Sequence, residues 1–208
     1  GRGHRRILRG VEAVERAFRA LDEGIADYLA RKGIRPSCGP GCFACCYGWV
    51  TASRLEAQAL LPHLTEAQKA RVLEEGPRRL ALLAREKDDP GFPRRFFLSR
   101  SPCPLLEAGL CGVYAHRPLA CRGVLTDEDP AYCDPENPHP APKPHHGPGH
   151  FLRVPHRMAR RRMEELWEEE RAQTGFLVLG ELSGLLYLLL TRLEALGVLG
   201  GRFGFQVV

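Results

Sequence analysis

The chain has 208 residues, of which 44% are hydrophobic, and its 30 basic and 25 acidic side chains give a formal charge of +5. This length and composition provide a hydrophobic core of ordinary size, which excludes the small scaffolds that depend on disulfide bonds. The excess of positive charge is mild and both signs are interspersed, so nucleic acid is not expected as a partner.

The most apolar stretch, 176–196, is interrupted by Glu181, Arg192 and Glu194. No run therefore reaches the roughly 18 apolar residues of a membrane span. No secretory signal follows the basic start, and we expect a cytoplasmic protein. The abundance of Arg, Leu, Pro and Glu is typical of a thermophile or of a GC-rich source. Part of the apolar stretch is a candidate surface for a second copy of the chain.

The chain begins with a predicted helix. Apolar residues recur at intervals of three and four over 7–31 and define one helical face. Lys32-Gly33 is predicted to end this helix. The first cysteine segment, 38–46, follows, and its glycines and proline exclude a regular helix at its start.

Two capping boxes then predict helix starts, at Ser53-Arg-Leu-Glu56 and at Thr65-Glu-Ala-Gln68. The first of these helices should end near Leu61 and the second near Glu75. Gly76-Pro77 is predicted to interrupt the helical pattern, which resumes over 78–87.

The second half of the chain alternates irregular and helical segments. We predict an irregular Pro-rich stretch over 88–102, the second cysteine segment over 103–133, a Pro/His-rich loop over 134–150, a charged helix over 154–173, a long apolar helix over 174–196 and a short strand over 202–208. The whole is predicted to be a mainly α-helical single domain, 1–208. It has a cysteine core over 38–133 and a C-terminal hairpin of helices over 151–208.

All eight cysteines lie in the two irregular segments: Cys38, Cys42, Cys45, Cys46, Cys103, Cys111, Cys121 and Cys133. Cysteines that merely fill a core would be scattered among the apolar helix faces. An even count also permits four disulfides, although no export signal is visible and a helical chain of this length needs no staples. Thiolates are soft ligands that suit zinc or iron–sulfur clusters, and we favour a metal centre between the two segments.

The spacing within the first segment suits metal binding. Cys38-x3-Cys42-x2-Cys45 can wrap three sulfurs around one centre, and the glycines between them allow backbone N–H groups to approach the sulfurs. Neighbouring side chains diverge, so Cys45 and Cys46 are not expected to bind the same single ion. One of the two is expected to join ligands from the second segment. The same spacing occurs in radical SAM enzymes, but no strand is predicted before Cys38, which argues against that fold.

The second segment contains Cys103-Pro-Leu-Leu106, Cys111-Gly-Val-Tyr114, Arg117-Pro118, Cys121-Arg122 and a late Cys133. Together with the first segment, this order of residues resembles the YkgJ-like cysteine-cluster family, whose domain is described as zinc- or iron-chelating. The resemblance covers about 38–133. It implies a metal site but little about a reaction. The flagellin lysine methylase FliB looks like a relative, which suggests chemistry on protein lysines by analogy only.

Several other residues are candidates beside the cysteines. Arg117 and Arg122 can offset the negative charge of a cluster, and Tyr114 can donate a hydrogen bond to a sulfur. Surface ion pairing and packing are the alternatives for these three. The four histidines of the Pro/His-rich loop are candidates for a second, exchangeable metal, but a flexible solvated loop is the favoured interpretation.

Three functional classes remain open from the sequence. The favoured one is a metal-binding protein with an iron–sulfur cluster of the [4Fe–4S] type held by cysteine thiolates; the eight cysteines can serve two four-coordinate sites, or one cluster plus a separate site. A structural or delivery zinc domain is the second. The third is a cluster-dependent enzyme related to protein lysine methyltransferases, with a protein as its substrate.

Overall fold

The computed structural model describes residues 2–191 of the chain. Within this range it contains seven α-helices and two small antiparallel sheets, which confirms the mainly α class. The helices are α1 (Arg2–Lys32), α2 (Arg54–Leu60), α3 (Glu66–Glu86), α4 (Phe92–Leu98), α5 (Leu119–Arg122), α6 (Arg153–Thr174) and α7 (Leu182–Leu190). The strands are β1 (Thr51–Ser53), β2 (Leu106–Glu107), β3 (Leu110–Cys111) and β4 (Leu179–Glu181). None of the described helices is both long and apolar enough to cross a membrane.

The first predicted helix is present as α1, and its apolar stripe is buried against α2, α5 and α6. The stripe includes Ala13, Val14, Leu21 and Ile25. The predicted stop is also present, since Gly33 adopts a positive φ of 63° and donates its N–H to the carbonyl of Ala30. This helix therefore forms one wall of the core that supports the second cysteine segment.

Both predicted capping boxes are formed. At the start of α2, the Ser53 hydroxyl accepts from the Glu56 N–H and the Glu56 carboxylate accepts from the Ser53 N–H. Thr65 and Gln68 repeat the arrangement at the start of α3. These local contacts satisfy N–H groups that a helix start otherwise leaves free.

The predicted break at Gly76-Pro77 is wrong, because α3 continues through both residues. Pro77 lies on the exposed face, as does Leu73, whose carbonyl loses its helical hydrogen-bond donor at the proline. Gly76 lies on the opposite face, where an added Cβ would come within 2.2 Å of the Tyr187 side chain. The glycine is thus required for the close packing of α3 against α7.

The stretch 88–102 is not wholly irregular, since it contains α4. Pro93 is accommodated because it occupies the first turn, where its missing N–H has no helical role. Phe92 and Phe96 are buried, and Trp49 packs edge-on against both rings at centroid distances of 4.9 and 5.0 Å. The proline content of 88–102 led to the prediction of an irregular stretch, but the stretch contains an aromatic helix that packs beside the first cysteine segment.

The predicted long helix over 174–196 is also wrong in its first part. Gly175 ends α6 with a positive φ of 81°, and the chain then forms β4 before α7 begins. Strand β4 pairs antiparallel with β1, with Ala52 opposite Gly180. The pairing satisfies backbone N–H and C=O groups of β4. Hydrophobic periodicity cannot distinguish a short buried apolar run of this kind from a helix. The remainder of that prediction, 192–196, and the strand over 202–208 lie outside the described residues.

A buried carboxylate in α6 leads to a prediction about pH. Glu170 has a fully buried side chain whose Oε1 accepts from Arg54 Nε at 3.1 Å, and its Oε2 has no partner. Burial raises the pKa of Glu170 from 4.5 to about 7, against the opposing effect of Arg54. Because the folded pKa lies above the unfolded one, the stabilising contribution is complete below pH 4.5 and is lost as the pH rises through 7.

We expect Glu170→Gln to remove this pH dependence, which amounts to at most about 3 kcal/mol. The measurement is the free energy of unfolding by urea at several pH values between 4 and 8.5. Glu169→Gln, in the exposed neighbour that pairs with Arg16, is the matched control and should retain the wild-type slope. An unchanged slope in the Glu170 variant would contradict the assignment.

Candidate metal centre

The two cysteine segments are in direct backbone contact. Cys45 and Cys46 lie in a 3₁₀ turn over Ala44–Tyr47, and the N–H of Cys103 donates to the carbonyl of Cys46 at 2.7 Å. All eight cysteines are free thiols; Cys45 is exposed and the others are partly buried. The structure thus brings the predicted ligands of both segments to one region and pairs none of them as a disulfide.

Three of the thiols form a first sulfur group: Cys38, Cys42 and Cys133. Burial and the charges of Cys38 and Cys42 raise the pKa of Cys133, and burial and the charge of Cys38 raise the pKa of Cys42. The buried Thr126 holds this group together, because its N–H donates to Cys38 Sγ at 3.3 Å and its carbonyl accepts from the Ser37 N–H at 2.8 Å. A backbone N–H on a sulfur stabilises the thiolate form that a metal requires.

Four thiols form a second sulfur group: Cys46, Cys103, Cys111 and Cys121. The charges of Cys103 and Cys111 act on both of the other two. A two-residue hairpin turn between β2 and β3, with positive φ at Ala108 and Gly109, returns the chain so that Cys111 lies opposite Leu106. Four thiols from four parts of the chain therefore converge without a regular sheet or a long helix.

Cys45 belongs to neither group alone. Its charge acts on Cys42 and Cys133 of the first group and on Cys46 and Cys121 of the second. The sequence predicted that the adjacent pair would serve two centres, and the structure places Cys45 within electrostatic reach of both groups. Cys45 is thus available as a ligand to either group. Only the first group, which has three thiols of its own, needs Cys45 to reach a set of four.

Burial leaves most of these thiols protonated at neutral pH. Burial, with the charges of neighbouring thiols, raises the pKa of Cys42 to about 11 and of Cys133 to about 12. Burial likewise raises the pKa of Cys103 to about 12 and that of Cys121 well above the ordinary value. A metal that binds here must displace these protons, which couples its affinity to pH.

Cys45 is the exception in its acidity. A hydrogen bond from the Cys46 thiol lowers the pKa of Cys45 to about 7, and the charge of Arg117 acts in the same direction. The same hydrogen bond and burial raise the pKa of Cys46. Cys45 is therefore the most readily ionised of the perturbed thiols and the most exposed of the eight, the position from which an incoming ion would first be bound.

The three neighbouring candidates occupy different positions. Arg117 lies over the Tyr114 ring, with Cζ 3.8 Å from the centroid; its charge helps to lower the pKa of Cys45 and opposes the burial that raises the pKa of Cys121. Tyr114 is 58% exposed. Arg122 is buried, pairs with Asp22 at 2.5 Å and lies over the Phe18 ring, and its charge also interacts with Cys121. Only Arg117 offers its charge to the thiols without a carboxylate partner among the described residues.

Two buried ionic residues that the sequence did not single out position the second sulfur group. Glu56, whose Oε2 caps α2, accepts with Oε1 from the Leu119 N–H at the start of α5, the helix that carries Cys121. Arg79 donates to the Pro102 carbonyl at 2.7 Å, immediately before Cys103, and pairs with Glu181 at 3.3 Å. The capping box was visible in the sequence, but the second contact of Glu56 depends on tertiary packing.

A cavity of about 510 Å³ lies beside α5 and α6. Its lining includes Trp49, Trp167 and Ala120, the last of which precedes Cys121. The indole N–H of Trp167 is buried and has no hydrogen-bond partner among residues 2–191. The cavity therefore offers aromatic side chains close to the second sulfur group.

Comparison with known proteins bears on the cysteine region. No curated protein and no solved structure matches the chain. One family model does match, over residues 37–136, which contain all eight cysteines. This match indicates a cysteine cluster that chelates zinc or iron, and it supports the resemblance to the cysteine-cluster family for that part of the chain. Residues 37–136 thus match the model of the family described as "CxxCxxCC: Putative zinc- or iron-chelating domain".

Proposed function

We propose that the eight thiols bind two iron–sulfur clusters of the [4Fe–4S] type. The second sulfur group supplies four ligands, and the first supplies three and is completed by Cys45. One observation carries the choice of cluster over single ions. Within residues 2–191, the sets of three or more donor atoms that lie within 4.8 Å of one another contain no cysteine.

This spacing favours a cluster for a geometric reason. A tetrahedral zinc ion with Zn–S bonds of about 2.3 Å draws its sulfurs to within about 3.8 Å of one another. A cluster places iron and sulfide between its cysteines and holds them farther apart. The donor set fits as well, since four thiolates per cluster is the usual ligand number. When bound, a cluster would supply electron transfer or an iron site for chemistry.

The chain's own residues have separate parts in this proposal. Thr126 directs its N–H at Cys38, Arg117 offsets negative charge near Cys45 and Cys121, and Arg79 and Glu56 fix the backbone on either side of the second sulfur group. Each of these contacts fixes a ligand or balances its charge before the metal arrives, which reduces the cost of ordering on binding.

The test is elemental analysis with a visible spectrum, on untagged protein purified without oxygen. We expect about eight iron and eight sulfide per chain, with absorption near roughly 400 nm that bleaches on reduction. About four of each would reduce the proposal to one cluster. About two zinc per colourless chain would replace it by the zinc alternative, for which the contacts between Cys38 and Cys42 and between Cys45 and Cys46 are the supporting observation.

The cavity supports a second candidate function, a cluster-dependent enzyme that acts on a lysine side chain of a protein. Two tryptophans line it, and an aromatic face suits an alkylammonium group, although the three carboxylates in the lining, Glu86, Asp89 and Glu164, already pair with Arg95 and Arg160. The probe is N-acetyl-lysine methylamide, followed by tryptophan fluorescence. Saturable quenching that is lost in Trp167→Leu would support this function, and no response at millimolar probe would remove it.

A further inference from the structure

The end of the Pro/His-rich loop is packed against the protein, whereas residues 136–145 are exposed, as favoured from sequence. His146 and His150 are only 1% and 0% exposed. Backbone bonds hold this end of the loop, from the Leu152 N–H to the Leu125 carbonyl at 2.7 Å and from the Gly147 N–H to the Phe151 carbonyl at 2.7 Å. Burying two imidazoles needs compensation by hydrogen bonds or by a metal, because each carries two polar nitrogens.

The buried histidines converge on Glu128. Its Oε2 lies 2.5 Å from His150 Nδ1 and 3.4 Å from His146 Nδ1, and all three donor atoms lie within 4.8 Å of one another. Metal–ligand bonds of about 2.0–2.1 Å from nitrogen and oxygen place neighbouring donors roughly 3.3 Å apart in a tetrahedron. The spacing to His146 already fits, and the contact to His150 needs to open by less than 1 Å.

The contacts of His146 give it the form that a metal requires, and at His150 a metal would displace the proton that lies between Nδ1 and Glu128. The backbone N–H of Lys143 points at His146 Nδ1 at 3.2 Å, so that nitrogen carries a lone pair, which a metal would take over. His150 Nε2 lies 3.0 Å from His139 Nδ1, and the Tyr132 ring packs against His150 at a centroid distance of 5.4 Å. A ligating histidine characteristically has its other nitrogen fixed in this way.

A second trio shares His146 and competes with the first. Asp127 contacts His146 Nε2 at 2.5 Å and His145 Nε2 at 3.2 Å. His145 is 41% exposed and His146 is in contact with both carboxylates, so this outer trio is more open to water. We favour the inner trio because both of its histidines are fully buried and each has a defined contact at its second nitrogen.

We propose that Glu128, His146 and His150 form a second metal site, with nitrogen and oxygen ligands, for a first-row divalent ion such as Zn²⁺. Two imidazoles and one carboxylate suit this class of ion, whereas the cysteine centre offers only sulfur. The site leaves at least one coordination position for water or a ligand. It is independent of which metal the cysteines bind.

The new site adjoins the cysteine centre through one stretch of chain, 126–133. Thr126 contacts Cys38, Glu128 is a ligand of the proposed site, Tyr132 packs on His150 and Cys133 belongs to the first sulfur group. Only residues up to 136 match the family model, so the two histidine ligands lie outside the matched region. Sequence reasoning singled out the histidines as metal candidates but not Asp127 and Glu128. These two adjacent carboxylates were the signal that it missed.

The test is a Co²⁺ titration of protein whose cysteine centre has first been filled. We expect one additional Co²⁺ per chain, with weak d–d absorption and none of the strong sulfur-to-cobalt charge-transfer bands of thiolate ligation. His150→Ala should weaken this binding at least tenfold, and His145→Ala, the matched control in the same loop, should not change it. Far-UV circular dichroism checks that both variants fold. If His150→Ala does not fold, Glu128→Gln replaces it.

Several outcomes would overturn the proposal. Failure of wild-type protein to bind the additional Co²⁺ at millimolar concentration is one. Charge-transfer bands that grow as this Co²⁺ binds would assign the ion to the thiols instead. Loss of binding in His145→Ala with retention in His150→Ala would assign it to the outer trio. These results leave the iron and sulfide content, and hence the proposed function, unaffected.

Discussion

Replacement of Cys42 by serine should remove one of the two metal centres and leave the other. Cys42 interacts with Cys38, Cys45 and Cys133, and no thiol of the second sulfur group contributes to its raised pKa. We therefore expect iron and sulfide per chain to fall to about half. Stability should fall with them, because metal-binding energy at a site that does not preexist in the unfolded chain is folding energy.

The reciprocal variant makes this result specific. Cys111 belongs to the second sulfur group, and Cys111→Ser should also halve the metal content. The double variant, Cys42→Ser with Cys111→Ser, should contain no metal. Iron and sulfide analysis of the three proteins, with thermal denaturation, distinguishes the arrangements. Full metal stoichiometry in Cys42→Ser would remove Cys42 from the ligands. Complete loss in either single variant would show that all eight thiols serve one indivisible centre.

Replacement of Arg79 by methionine should be the most destabilising change outside the cysteines. The guanidinium is 1% exposed, pairs with the buried Glu181 and lies 4.7 Å from the Phe96 ring centroid. Its removal leaves Glu181 as a buried charge without a cation and frees the carbonyl of Pro102. Loss of one partner from a buried pair costs about 3–5 kcal/mol. Metal retention should also fall, since Pro102 precedes Cys103.

The neighbouring arginine is the matched control. Arg78 is 45% exposed at its side chain and pairs with Glu75 one turn earlier. Arg78→Met should cost less than about 1 kcal/mol, as exposed pairs do. The measurement is the free energy of unfolding by urea at pH 8. Burial raises the pKa of Glu181, and at lower pH its protonation would partly offset the loss of the Arg79 charge. Equal destabilisation by the two variants would contradict the role assigned to Arg79.

Local signals in the sequence predicted the local features of this fold. The 3.6-residue stripe of α1 and the two capping boxes depend on residues a few positions apart, and the structure contains all three. The errors arose where packing outweighs local preference. Pro77 is tolerated because it faces solvent, and β4 forms because β1 is available to pair with it. Neither the solvent-facing position of Pro77 nor the pairing of β4 with β1 can be predicted from the residues next to them in the sequence.

The candidate site shows the same distinction between local features, which the sequence predicted, and features that depend on tertiary packing. Clustering of the eight cysteines indicated a metal centre, and the adjacency of Cys45 and Cys46 predicted their division between two sets of ligands. How Cys103, Cys111 and Cys121 group with Cys46 could not be predicted, because it depends on the β2–β3 hairpin and on Glu56 reaching α5. The packing of His146 and His150 on Glu128 escaped sequence reasoning for the same reason: the partners are about 20 residues apart along a proline-rich chain.

In the proposed arrangement, in which Cys45 completes the first sulfur group and Cys46 belongs to the second, the adjacency of the two residues has an energetic consequence. Consecutive Cα atoms are separated by one rigid peptide unit of about 3.8 Å, so ordering either residue also orders the other. The conformational entropy of this short turn is then lost once, when the first centre fills. The second centre is filled without that cost, and partially loaded chains should be scarce at equilibrium, with empty and fully loaded molecules predominating.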